Sequence, residues 1–137
     1  MEPIERASEL EALAGVEANR KVVFICHPLR GDIRGNIARV REICTLALQA
    51  GVIPFAPHLY FTQFLNDELP HQRALGIAYG LEFLRRFDEL WVVGSNLTEG
   101  MKGEIQFAQW IGIPIRNVEL DGDKLLYDEL YCREAAS

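Results

Sequence analysis

Short apolar runs that alternate with longer stretches of helical period limit this chain to very few architectures. Residues 21–26, Lys21-Val22-Val23-Phe24-Ile25-Cys26, form an apolar, β-branched run ended by His27-Pro28. Continuous apolarity of that kind marks a strand buried on both faces. Residues 52–56 (Val52-Ile53-Pro54-Phe55-Ala56), 89–93 (Glu89-Leu90-Trp91-Val92-Val93) and 113–115 (Ile113-Pro114-Ile115) repeat the pattern. Pro54 cannot donate to a ladder, so the second run belongs at a sheet edge.

Between the runs the period changes to that of a helix. Ile37, Val40, Ile43, Cys44 and Ala47 follow Asn36, a candidate N-cap, and the pattern stops at Gly51. Residues 70–87 carry Leu75, Ala78, Tyr79, Leu81, Phe83 and Leu84, and a further helix is expected over 100–111. Ile4, Leu10, Leu13 and Val16 predict a peripheral helix within residues 1–20. Leu125, Leu126, Leu130 and Tyr131 predict a last helix within 121–132. Strands alternating with helices of this length imply right-handed parallel crossovers. The expected fold is therefore a single α/β domain over residues 1–137, a Rossmann-like three-layer sandwich with a four- to five-stranded parallel sheet.

Composition narrows the function. A net charge of −6 at pH 7 excludes general nucleic-acid or anionic-membrane binding, although one pocket can still be locally positive. Cys26, Cys44 and Cys132 are too few and too scattered for a disulfide framework or a zinc site. Met1 to Arg20 lacks the apolar core of a signal peptide, and no apolar run reaches the ~20 residues a membrane span needs. A cytoplasmic protein is expected.

Open parallel sheets bind ligands beyond the carboxyl ends of their strands. Three loops meet there: 26–36, 57–66 and 94–104. The first holds His27-Pro28-Leu29-Arg30-Gly31-Asp32. Arginine offers a fork to a phosphate, and glycine lets backbone amides approach it; a solvated turn is the competing account. It matches neither a dinucleotide fingerprint nor a P-loop. In the third, Gly94, Ser95, Asn96, Thr98, Gly100, Met101 and Gly103 lead to Glu104, close to a helix N-terminus. A carboxylate there serves as nucleophile or base, or simply complements the helix dipole. His27, His58 and His71 lack ligand spacing, so no metal or other cofactor is expected. Trp91 and Trp110 are expected in the core.

Three segments carry a resemblance: 24–31, 88–94 (Asp88-Glu89-Leu90-Trp91-Val92-Val93-Gly94) and 100–105 (Gly100-Met101-Lys102-Gly103-Glu104-Ile105). In order and spacing they resemble the nucleoside 2-deoxyribosyltransferase superfamily, over about residues 21–115. The resemblance implies a flavodoxin-like sheet, a homodimer or larger homo-oligomer, and cleavage of the N-glycosidic bond of a 2-deoxynucleoside or its 5′-monophosphate. It places the nucleophilic glutamate on Glu104. It implies phosphate binding by Arg30, Gly31 and Thr98, as in the nucleotide N-hydrolase branch, and a ligand pocket that includes His27, Pro28, His58, Gly94, Gly100 and Met101. Two positions depart from the family: Phe24 replaces a tyrosine, and Gly80 replaces the acidic residue that helps the base leave. Glu82 is two residues away, so it points elsewhere on a helix; Asp67, Glu68 and His58 are other proton sources. An N-glycosidase and a non-catalytic nucleotide-binding or sensing module both remain open, as does a phosphoribohydrolase-type activity on the same scaffold.

Overall fold

A computed structural model describes residues 20–128. The helix expected within residues 1–20 lies outside this range, apart from Arg20, as do Leu130, Tyr131 and Cys132. The chain runs β1 (Val22–Cys26), α1 (Ile33–Gln49), β2 (Ile53–Phe55), a single turn α2 (Pro57–Tyr60) continued by a 3₁₀ turn (Phe61–Gln63), α3 (Pro70–Leu84), β3 (Glu89–Val93), α4 (Glu99–Ile111), β4 (Ile115–Asp121) and β5 (Lys124–Tyr127). The five strands form one sheet in the order β2-β1-β3-β4-β5. The first four are parallel and β5 pairs antiparallel to β4.

The side chains of β1 show how the layers form. Val23 and Ile25 pack with Val40, Ile43 and Ala47 of α1 on one face of the sheet. Phe24 and Cys26 pack with Leu84 of α3 and with Met101 and Ala108 of α4 on the other. Successive side chains point to opposite faces of a strand, so a strand covered on both sides must be apolar at every position. Of the predicted strands, β2 takes the edge, where Pro54 needs no donor. The order β2-β1-β3 changes direction at β1, and a crevice opens there beyond the strand ends.

Four expectations are corrected. Over its described part, residues 121–128, the helix expected within 121–132 is replaced by the second arm of a hairpin. Asp121 pairs with Lys124 across Gly122 (φ +60°) and Asp123, a two-residue turn of the kind glycine favours. Tyr127 then stacks on Trp91 at 6.2 Å and lies under the Arg116 guanidinium at 5.0 Å. The fourth strand is Ile115–Asp121, longer and later than residues 113–115. Asn36 does not cap α1: Asp32 does, accepting from the Gly35 amide, while the buried Asn36 side chain donates to the Leu29 carbonyl at 2.9 Å. Trp110 is 70% exposed, not core.

Candidate active site

Beyond the C-terminal ends of β1 and β3 lies a cleft of about 170 Å³. Its walls come from the loop after β1 (His27, Leu29, Arg30), the α2 region (His58, Phe61), the entry to α3 and its first turns (Asp67, Arg73, Gly76, Gly80), and the start of α4 (Thr98, Gly100, Met101, Glu104). Drug-sized ligands occupy ~300–1,000 Å³. This cleft therefore encloses a ring-sized part of a ligand, and the remainder would lie at its mouth.

Glu104 is the sixth residue of α4, in its second turn. The helix dipole acts mainly within the first turn, where Glu99 stands, paired with Lys102 at 3.2 Å. Dipole complementation thus belongs to Glu99. The Glu104 residue is half-buried and lines the cleft. Desolvation raises the Glu104 pKa to about 8, against a smaller lowering by the Cys26 thiol, which hydrogen-bonds the carboxyl. The Cys26 thiol is itself raised by burial and by the nearby Glu104 charge, and it also lies 3.7 Å from the Met101 carbonyl. It is a buried, protonated partner of Glu104, not a nucleophile.

The two histidines meet edge to face, ring centres 6.2 Å apart. His27 Nδ1 lies 2.7 Å from the Pro28 carbonyl, and burial lowers the His27 pKa. Burial and then the charge of His27 lower the His58 pKa to about 4, so His58 is neutral near pH 7. Its buried Nδ1 has no protein partner. Thr98 caps α4, its Oγ1 accepting from the Met101 amide at 3.2 Å; the hydroxyl hydrogen stays available to a ligand. Arg30 Nε lies 3.3 Å from Asp67 Oδ2.

His27, Arg30, His58, Thr98, Gly100, Met101 and Glu104 all line this one cleft. Pro28, Gly31 and Gly94 do not. Gly31 (φ +98°) and Gly94 (φ +77°) instead permit left-handed turns at the ends of β1 and β3. Of the alternative proton sources, Asp67 and His58 line the cleft; Glu68 does not, and Glu82 is exposed, paired with Arg85 and Arg86. Gly80 is in the wall, and a Cβ built there meets nothing within 4 Å. Phe24 packs in the core against Phe55 and Phe87. Arg73 was missed. Its signal was an arginine in the first turns of a helix that enters the site, and helical period alone does not say which helix that is. Among the described residues, no cluster of three or more His, Cys, Asp or Glu could hold a metal ion.

Residues 21–118 match the family model described as Domain of unknown function (DUF7768). The chain belongs to that family. No curated protein matches the sequence. Among solved structures, it is similar to a 2-deoxyribosyltransferase from the psychrotolerant bacterium Bacillus psychrosaccharolyticus, with a TM-score of 0.59 and 14% identity over 74% of each chain. That protein is described as a biocatalyst for the synthesis of antiviral and antitumoral nucleosides. At this identity the likeness shows a shared fold: the DUF7768 chain has the nucleoside 2-deoxyribosyltransferase-like architecture.

Proposed function

We propose that this protein cleaves the N-glycosidic bond of a 2-deoxynucleoside 5′-monophosphate or a related nucleoside, with Glu104 as the nucleophile. The observation that carries the reading is a desolvated carboxyl group in a ring-sized cleft at the switch point of the sheet. In this reading ionised Glu104 attacks C1′, and the C1′–N bond breaks with its electron pair leaving on the base. The departing base takes a proton from solvent. Water then attacks C1′, returns the carboxylate and loses its proton. Gly100 keeps the cleft wall bare beside Glu104.

The binding-module reading rests on Gly80, because no carboxyl group stands at that wall position. Incubating the protein with 2-deoxynucleosides and their 5′-monophosphates, and measuring free base, separates the two. Release that Glu104→Gln abolishes is the expected result. Equal release by both proteins overturns the role of Glu104, and no release from any substrate favours the binding module.

Tyr79 and Phe83 of α3 and Tyr60 and Phe64 beside them are exposed. An aromatic face of this size supports the homo-oligomer proposed here. Among the described residues no helix is long and apolar enough to cross a membrane. The free thiols of Cys26 and Cys44 suit the reducing cytoplasm in which we place the protein.

A further inference from the structure

Cys26 is the last residue of β1 and is fully buried. Its side chain lies on the α4 side of the sheet, packed with Met101 and Ala108. Phe24, the previous residue on that side, packs against Phe55 and Phe87 and carries no hydrogen-bonding group. Cys26 Sγ lies 3.7 Å from the Met101 carbonyl oxygen, and the thiol also hydrogen-bonds the Glu104 carboxyl group. Met101 and Glu104 are three residues apart, hence neighbours on the surface of α4, and both line the cleft. One thiol therefore stands between two acceptors, with a single proton to give.

We propose that Cys26 is a positioning residue for Glu104: its S–H donates to the carboxylate when Glu104 is ionised, turns to the Met101 carbonyl when Glu104 is protonated, and so fixes the direction in which the ionised carboxylate meets the ligand. The thiol keeps its proton in both states, and the carboxyl proton exchanges with water in the cleft. This rests on Glu104 being the reactive group of the proposed function, and it adds to that site a residue behind the cleft wall.

Burial and the nearby Glu104 charge raise the Cys26 pKa, so ionising Glu104 leaves the thiol protonated and able to donate. Among the described residues Glu104 forms no ion pair, so no stronger partner competes for its orientation. A thiol is a weak donor, so it directs the carboxylate without withdrawing the charge that attack at C1′ needs. The other charged or titratable groups on the cleft are His27 and Arg30 after β1, His58 on α2, Asp67 and Arg73 on the α3 side, and Glu99 on α4. Arg30 pairs with Asp67, and Glu99 with Lys102. Burial lowers the pKa of His27, and burial and then the charge of His27 lower that of His58 to about 4. Both histidines are therefore neutral where Glu104 titrates, around 8.

Infrared titration of the S–H stretching band between pH 5 and pH 9, on wild type and Glu104→Gln, tests this without requiring turnover. Cys44 and Cys132 are common to both proteins and cancel in the comparison. A band should move to lower frequency as pH rises through about 8 in the wild type and stay fixed in Glu104→Gln. The carbon-13 carboxyl resonance of Glu104, assigned by its absence from Glu104→Gln, gives the titration midpoint directly. Cys26→Val, which fills the space but cannot donate, should raise that midpoint by roughly 0.5–1 pH unit. Cys26→Ser, which restores a donor, should return it to the wild-type value or below. Where base is released, its pH profile should shift by the same amounts. An S–H band that ignores the ionisation of Glu104 would overturn the proposal even if neither Cys26 variant folds. So would an unchanged midpoint in Cys26→Val, or a serine variant that titrates like the valine one. Band and midpoints as expected, with no base release from any substrate, would leave Cys26 as the partner that orients Glu104 and remove the glycosidase reading.

Discussion

Replacing Glu104 by glutamine should stabilise the protein, and the gain should grow with pH. The folded-state pKa of Glu104 is raised from 4.5 to about 8 by desolvation. A raised pKa means that folding favours the protonated form. The favourable balance is complete below the unfolded value near 4.5 and is lost as pH rises through about 8. Each tenfold change in proton affinity is worth ~1.4 kcal/mol, so the cost of carrying the charge has a ceiling of roughly 5 kcal/mol above pH 8. Water entering the open cleft lowers this to about 1–3 kcal/mol. Glutamine keeps the shape and carries no charge. Urea unfolding of wild type and Glu104→Gln at pH 5, 6, 7, 8 and 9 should therefore show curves that nearly coincide at pH 5 and separate by about 1–3 kcal/mol at pH 9, the variant being the more stable. The histidines act in the opposite direction. The lowered pKa values of His27 and His58 give stability that is present above their unfolded value near 6.5 and is lost as pH falls below it, for His58 through about 4. They are common to both proteins and cancel in the difference. A stability difference that does not change with pH would refute the argument. So would a variant less stable by about 0.3–1 kcal/mol at every pH, the loss expected for a dipole partner.

Gly80→Asp should fold, since a Cβ there meets open space, and should raise base release by about 10²–10⁴-fold if the cleft lacks only a general acid. Unchanged turnover in a folded variant would show that the proton already comes from elsewhere. Sedimentation velocity at micromolar concentration should show a species heavier than 15.5 kDa, and Tyr79→Glu, on the exposed face of α3, should return it to the monomer; a wild type that sediments as a monomer would refute the role of that face.

The parts legible in the sequence were those governed by a single period. Val22–Cys26 and, after Glu89, residues 90–93 are apolar throughout and almost wholly buried, so the two central strands followed directly from composition. The helix expected over 121–128 failed because Leu125 and Leu126 also fit a helical spacing. The competing signal was Gly122-Asp123, a two-residue turn, and the aromatic contacts of Tyr127 to Trp91 and Arg116 belong to tertiary structure. Asn36 failed because Asp32, four residues earlier, has the same capping chemistry, and which of the two caps depends on where the loop turns. At the site, strand order decided which loops meet, so Arg30, His58, Thr98 and Glu104 were found together. The state of those groups was not legible. Glycine and serine around Glu104 say nothing of how closely its carboxyl is enclosed, and nothing in the loop after β1 indicates that Arg30 would be held by Asp67, 37 residues later. Among the described residues, the same pairing leaves Arg73 as the cleft's cation without an ion pair. The ion pair joins the loop after β1 to the entry of α3, and only the folded chain brings Arg30, Asp67 and Arg73 to one cleft.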